Sequence, residues 1–359
     1  MTVGSAPKVS VLLPSLNARE FLEPRIVSLL NQTFTDWESI VLDSHSTDGT
    51  WEFFESIASS DSRFRLYQIP REGLYAALNR GLDLATGEFL HVATCDDTMA
   101  PEFLTETLQA FSRCPEAGIV ACDALLINRD GNELSAQDLV GRLTKRATKN
   151  LLSLDTVRTA FPGEAKRKIN YRPVPHDCLL HFDGRSVYLS LNQLLVRTAL
   201  AKAAGPFETT IGSVADFDWL LRLTSSTGSV HVPKKLAMWR YHGNQLSLCP
   251  DLSRPGSRRA AAERALKTIC DNNPILLSRN DRAALFLPFK IFECRSPIGR
   301  VFRWFESAGR LARMFFERPI PTLRALLRVK FRFGTRRHSL LPIIFQNTGL
   351  APKQLSQNR

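Results

Sequence analysis

Over its first 125 residues the chain alternates short apolar runs with segments whose apolar positions recur at helical spacing. No other feature constrains the fold as strongly. Lys8 to Pro14 reads as a buried strand, and Phe21 to Leu30 as a helix with Pro24 tolerated near its first turn. The second strand ends at Asp43, a helix spans Trp51 to Ala58, and FRLYQIP is a third strand. The helix GLYAALNRGLDLATG follows, with Gly87 as its stop, then the strand EFLHVATC, the helix EFLTETLQAF and the strand GIVACDALLI. This βαβα order predicts an α/β fold with a mostly parallel central sheet flanked by helices on both faces. Residues 131–186 are polar, basic and proline-containing, and read as irregular, an acceptor-side loop. Order returns with VYLSLNQLLVR, a helix before Gly205 and the helix ADFDWLLRL. Two parts are expected, an α/β domain over 1–250 and a basic helical region over 251–359.

The stretch VLDSHSTDGTWEFF carries a chemical signal. Apolar residues close on Asp43, then Ser44, Ser46, Thr47, Asp48, Gly49 and Thr50 form turns and helix caps before an aromatic-rich helix. Ligands of open α/β sheets sit beyond the carboxyl ends of the strands, which places Asp43 at such a site. Two further acidic stations occur. Asp96 and Asp97 end the fourth strand, and Asp216 with Asp218 opens a later helix. Paired carboxylates after an apolar strand suit a hard divalent cation, Mg²⁺ or Mn²⁺, bridging to a substrate diphosphate. A helix cap before Pro101 with one solvated neighbour explains Asp96 and Asp97 equally well.

A chain of 359 residues is long enough to bury a sizeable core without metals or disulfides. Its seven cysteines are scattered without a CxxC pair, which suggests neither a disulfide framework nor a zinc cluster and fits a reducing cytoplasm. The start MTVGSAPKVSVLLP reads as a buried strand and not a signal peptide, and no run reaches the roughly 18 apolar residues of a spanning helix.

The formal charge of +12 is unevenly placed: acidic residues are common up to about residue 220, and arginine dominates after 250. In residues 299–319 a helical projection puts Val301, Trp304, Phe305, Ala308, Leu311, Ala312, Phe315 and Phe316 on one face and Arg300, Arg303, Arg310, Arg313 and Arg318 on the other. With the basic stretch PTLRALLRVKFRFGTRRHS behind it, this predicts peripheral contact of 299–337 with an anionic membrane. An amphipathic helix packed on the first domain has the same pattern. Bulky apolar residues interleave the basic ones and no recognised module is present, which argues against nucleic-acid binding.

Three runs in order carry a family likeness: VSVLLPSLNAREFLEPRIVSLLNQTFTDWESIVLDSHSTDGT, then GLYAALNRGLDLATGEFLHVATCDD, then GPFETTIGSVADFDWLLRL. They resemble the family 2 glycosyltransferases, whose nucleotide-sugar domain is of the GT-A type, Rossmann-like, over roughly residues 7 to 248. The resemblance implies that Pro14 to Asn17 and Asp43 hold the nucleoside, with the Asp43 carboxylate accepting from the base, usually a uracil. It implies that Arg71 to Gly73 and Asn79 to Gly81 lie near the donor sugar and diphosphate, where Arg80 offsets phosphate charge. Asp96 matches the last acid of the metal-binding DxD motif, with Asp97 beside it, and Asp216 matches the catalytic base. His242, in WRYHGNQLS, matches a histidine that in some relatives approaches the metal or the diphosphate; a structural hydrogen-bonding histidine is the alternative. His176 has no mechanistic case.

Two positions depart from the family pattern. Thr94 replaces the first acid of DxD and supplies no charge to a metal, and Ala215 replaces the acid that often precedes the base. The function implied is an inverting glycosyltransferase moving a sugar from a nucleotide-sugar, a UDP-sugar, to a hydroxyl of a glycan, lipid-linked surface polysaccharide at the inner face of the cytoplasmic membrane. Transfer to a polyprenyl phosphate and a non-catalytic sugar-nucleotide-binding scaffold are the alternatives.

Overall fold

The computed structural model describes residues 6–134, 169–181, 188, 190–242, 257–272 and 353–354. In chain order its elements are β1 (Val9–Ser15), α1 (Arg19–Leu30), β2 (Trp37–Asp43), α2 (Thr50–Ala58), β3 (Phe64–Gln68), α3 (Leu74–Leu84), β4 (Phe89–Val92), β5 (Thr98–Met99), α4 (Phe103–Arg113) and β6 (Ala117–Ile127). They continue as β7 (Asn170–Arg172), α5 (His176–His181), β8 (Leu194–Arg197), α6 (Thr198–Ala203), α7 (Ala215–Thr224), β9 (Gly228–Arg240), α8 (Ser257–Asn272) and β10 (Lys353–Gln354).

Every residue of β1 and β2 is buried, because the sheet is covered on both sides. Period-2 alternation divides them: Val9, Val11 and Leu13 enter one core with Leu22, Ile26 and Leu29 of α1, Phe54 of α2 and Phe103 of α4. Leu12, Ile40 and Leu42 enter the other with Leu78 of α3, Ala201 of α6 and Phe217 and Leu221 of α7. The chain must pass tightly against β1 at Gly87, where an added Cβ would lie 2.6 Å from the Ser10 backbone nitrogen. Gly87 therefore serves close approach and not helix termination; α3 ends earlier, at Leu84.

The sheet runs β10-β7-β9-β6-β8-β4-β1-β2-β3, with β5 on β9 off that path. The β3-β2-β1-β4 half is parallel, as the strand–helix alternation predicts. The other half is mixed: β8 inserts antiparallel between β4 and β6, and β7 runs antiparallel to β9. Since β8 opposes both neighbours and β6 is parallel to β9, the strands β3, β2, β1, β4, β6 and β9 share one direction. Their carboxyl ends fall on one edge.

Three further differences from the sequence reading concern position. The fourth strand stops at Val92, so residues 93–97 leave the sheet as a loop. Within the stretch expected to be irregular, β7 and α5 are ordered, and all six residues of α5 are buried; residues 135–168 and 182–186 lie outside the described residues. Beyond the expected boundary at 250, Ala261, Ala262, Ala265, Leu266 and Ile269 of α8 join the α7 core, and Arg264 donates to Asp218 of α7 at 2.5 Å. The amphipathic stretch 299–337 lies outside the described residues. No helix among the described residues is long and apolar enough to cross a membrane.

Candidate active site

Asp43 ends β2 opposite Ser15, the last residue of β1. It is fully buried, its Oδ1 accepting from Ser15 Oγ at 2.9 Å and Ser46 Oγ at 2.5 Å, and its Oδ2 accepting from the Ser46 backbone N–H at 2.9 Å. The small polar residues after the strand are there to close this turn. Asn17 completes it from the β1 side: its Oδ1 accepts from the Thr47 N–H at 2.9 Å, and its own N–H donates to Ser46 Oγ at 2.9 Å. The φ angles of Asn17 (49°) and His45 (53°) lie in the left-handed region, a conformation asparagine tolerates better than most residues. Arg71 grips the same loop, donating through Nε to the Ser44 carbonyl at 2.9 Å and through Nη2 to the His45 carbonyl. Asp48 holds the helix starts beyond the loop, accepting from the Arg19 and Thr50 N–H groups. Pro14 lies in β1 opposite Leu42, and its carbonyl accepts from Cys95 Sγ at 3.2 Å. Asp43 is thus wholly covered, its carboxylate engaged by Ser15 and Ser46.

The second station is the 94–97 loop beyond β4. Asp96 faces outward, its side chain 28% exposed, and its Oδ2 lies 3.1 Å from His242 Nε2. A carboxylate can only accept, so that ring nitrogen carries the proton. The His242 ring packs on Phe21, with centroids 4.7 Å apart. Asp97 turns the other way and is 2% exposed. Its Oδ2 accepts from Thr94 Oγ1 at 2.6 Å and Ser190 Oγ at 3.3 Å, and its Oδ1 accepts from the Arg240 N–H at 2.9 Å. Asp97 therefore does not share an outward-facing cation site with Asp96, contrary to the expectation from adjacent acids. Burial, and then the neighbouring charge of Asp96, push its carboxyl up to about 7. Thr94 is not simply a missing acid. Its hydroxyl braces the buried carboxylate, and an acid there would face Asp97 directly.

Beneath the loop lies Arg25, fully buried. Its Nη1 reaches Asn192 Oδ1 at 3.4 Å, whereas Nε and Nη2 have no hydrogen-bond partner among the described residues. Burial lowers its pKa to about 10, against the opposing pull of Asp97, Cys95 and Asp96. His91, buried next to it on β4, is held neutral, down to about 3, by burial and by the Arg25 charge.

Asp216 stands in the first turn of α7, where its Oδ1 accepts from the Phe217 N–H at 2.6 Å. Because α7 runs back to the start of β9, its amino end points to the carboxyl edge of the sheet, the side of Asp43 and Asp96. Asp218 plays a separate part: buried, it pairs with Arg222 at 2.9 Å and Arg264 at 2.5 Å and fastens α7 to α8. Asn79 is likewise engaged within the fold, its amide exchanging two hydrogen bonds with the Phe207 backbone at 2.9 and 2.7 Å. Arg80 is at the surface, 2.7 Å from Glu72 in a pair whose side chains are 45% and 52% exposed.

Sequence reasoning missed Arg240 and Arg25. Arg25 left a signal, since it falls among Leu22, Ile26 and Leu29 on the apolar face of α1. Arg240 left none beyond its place in WRYH. No cluster of three His, Cys, Asp or Glu side chains fit for a metal occurs among the described residues. One outward carboxylate, with an imidazole that gives up its Nε2 proton, nevertheless matches the donor set of a cation that takes its remaining ligands from a substrate diphosphate and water.

Residues 10–166 match the family model described as Glycosyl transferase family 2. Over this part the chain is similar to glycosyltransferase family 2. Among curated relatives, GalNAc(5)-diNAcBac-PP-undecaprenol beta-1,3-glucosyltransferase of Campylobacter jejuni is 33% identical over 128 residues, 35% of this chain and 40% of that protein. A PGL/p-HBAD biosynthesis glycosyltransferase of Mycobacterium bovis is 34% identical over 96 residues, 26% of this chain and 38% of its own length. The chain thus spans about two fifths of the length of the curated relatives it matches. Among solved structures, residues 1–349 of TarS from S. aureus superpose with a TM-score of 0.54 at 16% identity, covering 84% of this chain and 79% of that one. The same protein in complex with UDP-GlcNAc gives 0.52 at 15% identity, covering 80% of each chain. At such identity the likeness concerns the fold, a GT-A-type α/β domain.

Proposed function

We propose that this protein is an inverting glycosyltransferase that moves a sugar from a nucleotide-sugar, a UDP-sugar, to a hydroxyl of a lipid-linked glycan. The observation that carries the reading is the placement of Asp43, the Asp96–His242 pair and Asp216 toward one sheet edge within a fold of this family. The lipid-linked acceptor draws on the C. jejuni relative, whose name includes a PP-undecaprenol carrier. The UDP donor draws on the UDP-GlcNAc complex of TarS.

In this reading the Asn17 and Asp43 turns shape the nucleoside end, and Arg71 holds their loop. The Asp216 carboxylate takes the proton of the acceptor hydroxyl as that oxygen forms a bond to the anomeric carbon from the face opposite the diphosphate. The bond from the anomeric carbon to the diphosphate oxygen breaks, and the diphosphate leaves with the electron pair, so the configuration inverts. Asp96 and His242 would hold a divalent cation, Mn²⁺ or Mg²⁺, and when bound it offsets the negative charge of the leaving diphosphate. Asp97 anchors the loop through Thr94, Ser190 and the Arg240 N–H and is not a ligand. The basic stretch 299–337 brings the enzyme to an anionic membrane surface, where lipid-linked acceptors reside.

The test is release of nucleoside diphosphate from UDP-, GDP- and dTDP-sugars, with and without Mn²⁺ or Mg²⁺. Cation-dependent release from one donor, lost in Asp96→Ala, is expected. Release unaffected by Asp96→Ala and by chelation would remove the Asp96–His242 assignment, and no binding of any nucleotide would remove the enzyme reading.

A further inference from the structure

We infer that Arg240 is a positioning residue for the donor side of the cleft, fixing the direction in which Asp96 presents its carboxylate. The residue ends β9 and is 3% exposed. Its Nε donates to the Asp96 carbonyl at 2.7 Å, and its Nη1 donates to the Asn128 carbonyl at 3.2 Å and the Arg129 carbonyl at 2.6 Å. Its own backbone N–H donates to Asp97 Oδ1. Two residues further on, His242 meets the Asp96 carboxylate, and Arg240 and His242 both lie against the Phe21 ring, the guanidinium 5.7 Å from its centroid.

These contacts continue past the ends of two ladders, β5 on β9 at Thr98 and Met238 and β6 on β9 at Ile127 and Arg240, and tie the loop before β5 to the turn after β6. The 94–97 loop has left the sheet. Residues 128–132 form a tight turn, in which Asn128 Oδ1 accepts from the Asp130 and Asn132 N–H groups. The turn is tied to the start of α1 by the Arg129–Glu20 ion pair at 2.5 Å. The guanidinium spans the loop and the turn because its donors diverge in a rigid plane, and a single ammonium cannot reach three carbonyls spread in that way. With the Asp96 carbonyl fixed from one side and its carboxylate met by His242 from the other, the side chain has one direction left. Remove the guanidinium and the loop can rotate about the bond that carries Asp96.

The functional consequence rests on the reading of Asp96 and His242 as diphosphate-side groups, so the experiment has one readout that requires enzyme activity and one that does not. The first is nucleoside diphosphate release by wild type, Arg240→Lys and Arg240→Ala, with melting curves as a measure of folding. Loss of a supporting contact behind a ligand typically lowers activity or cation affinity about 10–100-fold. Arg240→Lys should fold and show that loss, and added guanidinium ion should restore part of it to Arg240→Ala. The second readout is the ¹⁵N imidazole spectrum. His242 is one of seven histidines, and its Nε2–H signal, identified by loss in His242→Gln, should weaken or move in Arg240→Lys. An unchanged His242 signal with unchanged turnover per folded molecule would overturn the inference. A wild type that neither binds nor turns over any donor would end the proposed function, and the His242 signal alone would then decide whether Arg240 positions Asp96.

Discussion

Two aspartates in this protein are buried to nearly the same degree and reach opposite states. Asp177 on α5 is 3% exposed and Asp97 is 2% exposed. Burial is the largest single influence and opposes the charge of Asp177, but Arg172 at 3.1 Å, His176, and the hydroxyls of Tyr188 and Ser229 at 2.5 Å together outweigh it, and its carboxyl is held far below the usual range. Asp97 has hydroxyl and N–H donors too, yet a second carboxylate stands beside it, and Arg25, whose charge favours its ionised form, makes no ion pair with it among the described residues. Its carboxyl rises to about 7. The lesson concerns pairing and not depth. A buried acid with a contacting arginine is a brace, whereas a buried acid sharing its site with another acid is characteristic of places where charge is kept in reserve for a ligand.

The comparison can be broken or sharpened by mutation. In the proposed reaction Asp216→Asn removes only the general base and should lower turnover about 10²- to 10⁴-fold. Its stability should stay within about 0.5 kcal/mol, because the new amide oxygen can still accept from the Phe217 N–H. Nucleoside diphosphate release alongside thermal melts reads both. At the brace the pattern reverses: Asp177→Asn leaves Arg172 buried and uncompensated and should cost about 3–5 kcal/mol in denaturant unfolding.

Thr94→Asp should be next in size. It replaces the hydroxyl that donates to Asp97 with a second carboxylate, and about 1–3 kcal/mol should be lost at neutral pH. An increase in stability or in cation affinity would show that Thr94 is only a gap in the motif. The smallest effect belongs to Asp97→Asn, within about 1 kcal/mol at pH 8, because the amide serves the same three partners without a buried charge.

The pH dependence carries the contrast in sign. Asp97 has its proton affinity raised in the fold, from an unfolded value of about 3.9, so its favourable contribution is full below that value and is lost as pH rises through about 7. Asp177 is depressed, so its contribution is present above about 3.9 and is lost as the pH falls further. Unfolding free energy measured from pH 3 to 8 should therefore flatten between about 4 and 7 in Asp97→Asn. In Asp177→Asn it should lose part of its acid sensitivity.

Much of this was legible in the sequence, and where it failed the reason is physical. The run from Val9 to Ser15 could only be a strand covered on both faces, and Asp43 at the end of β2 had to reach the carboxyl edge. The same local pattern placed Asp96 just past β4 and Asp216 in the first turn of α7. Hydrophobic period and turn chemistry are properties of neighbouring residues, so the sequence by itself determined the parallel half of the sheet and the side on which its acids gather.

The tertiary structure decided what each acid does there. Which of Asp96 and Asp97 faces outward depends on Ser190 and Arg240, residues 93 and 143 positions from Asp97. The antiparallel entry of β8, the burial of α5 and the grip of Arg240 on three carbonyls depend equally on distant partners. A hydrogen bond or an ion pair acts over a few ångströms in space and is indifferent to separation along the chain, and for that reason only the folded molecule could settle these roles.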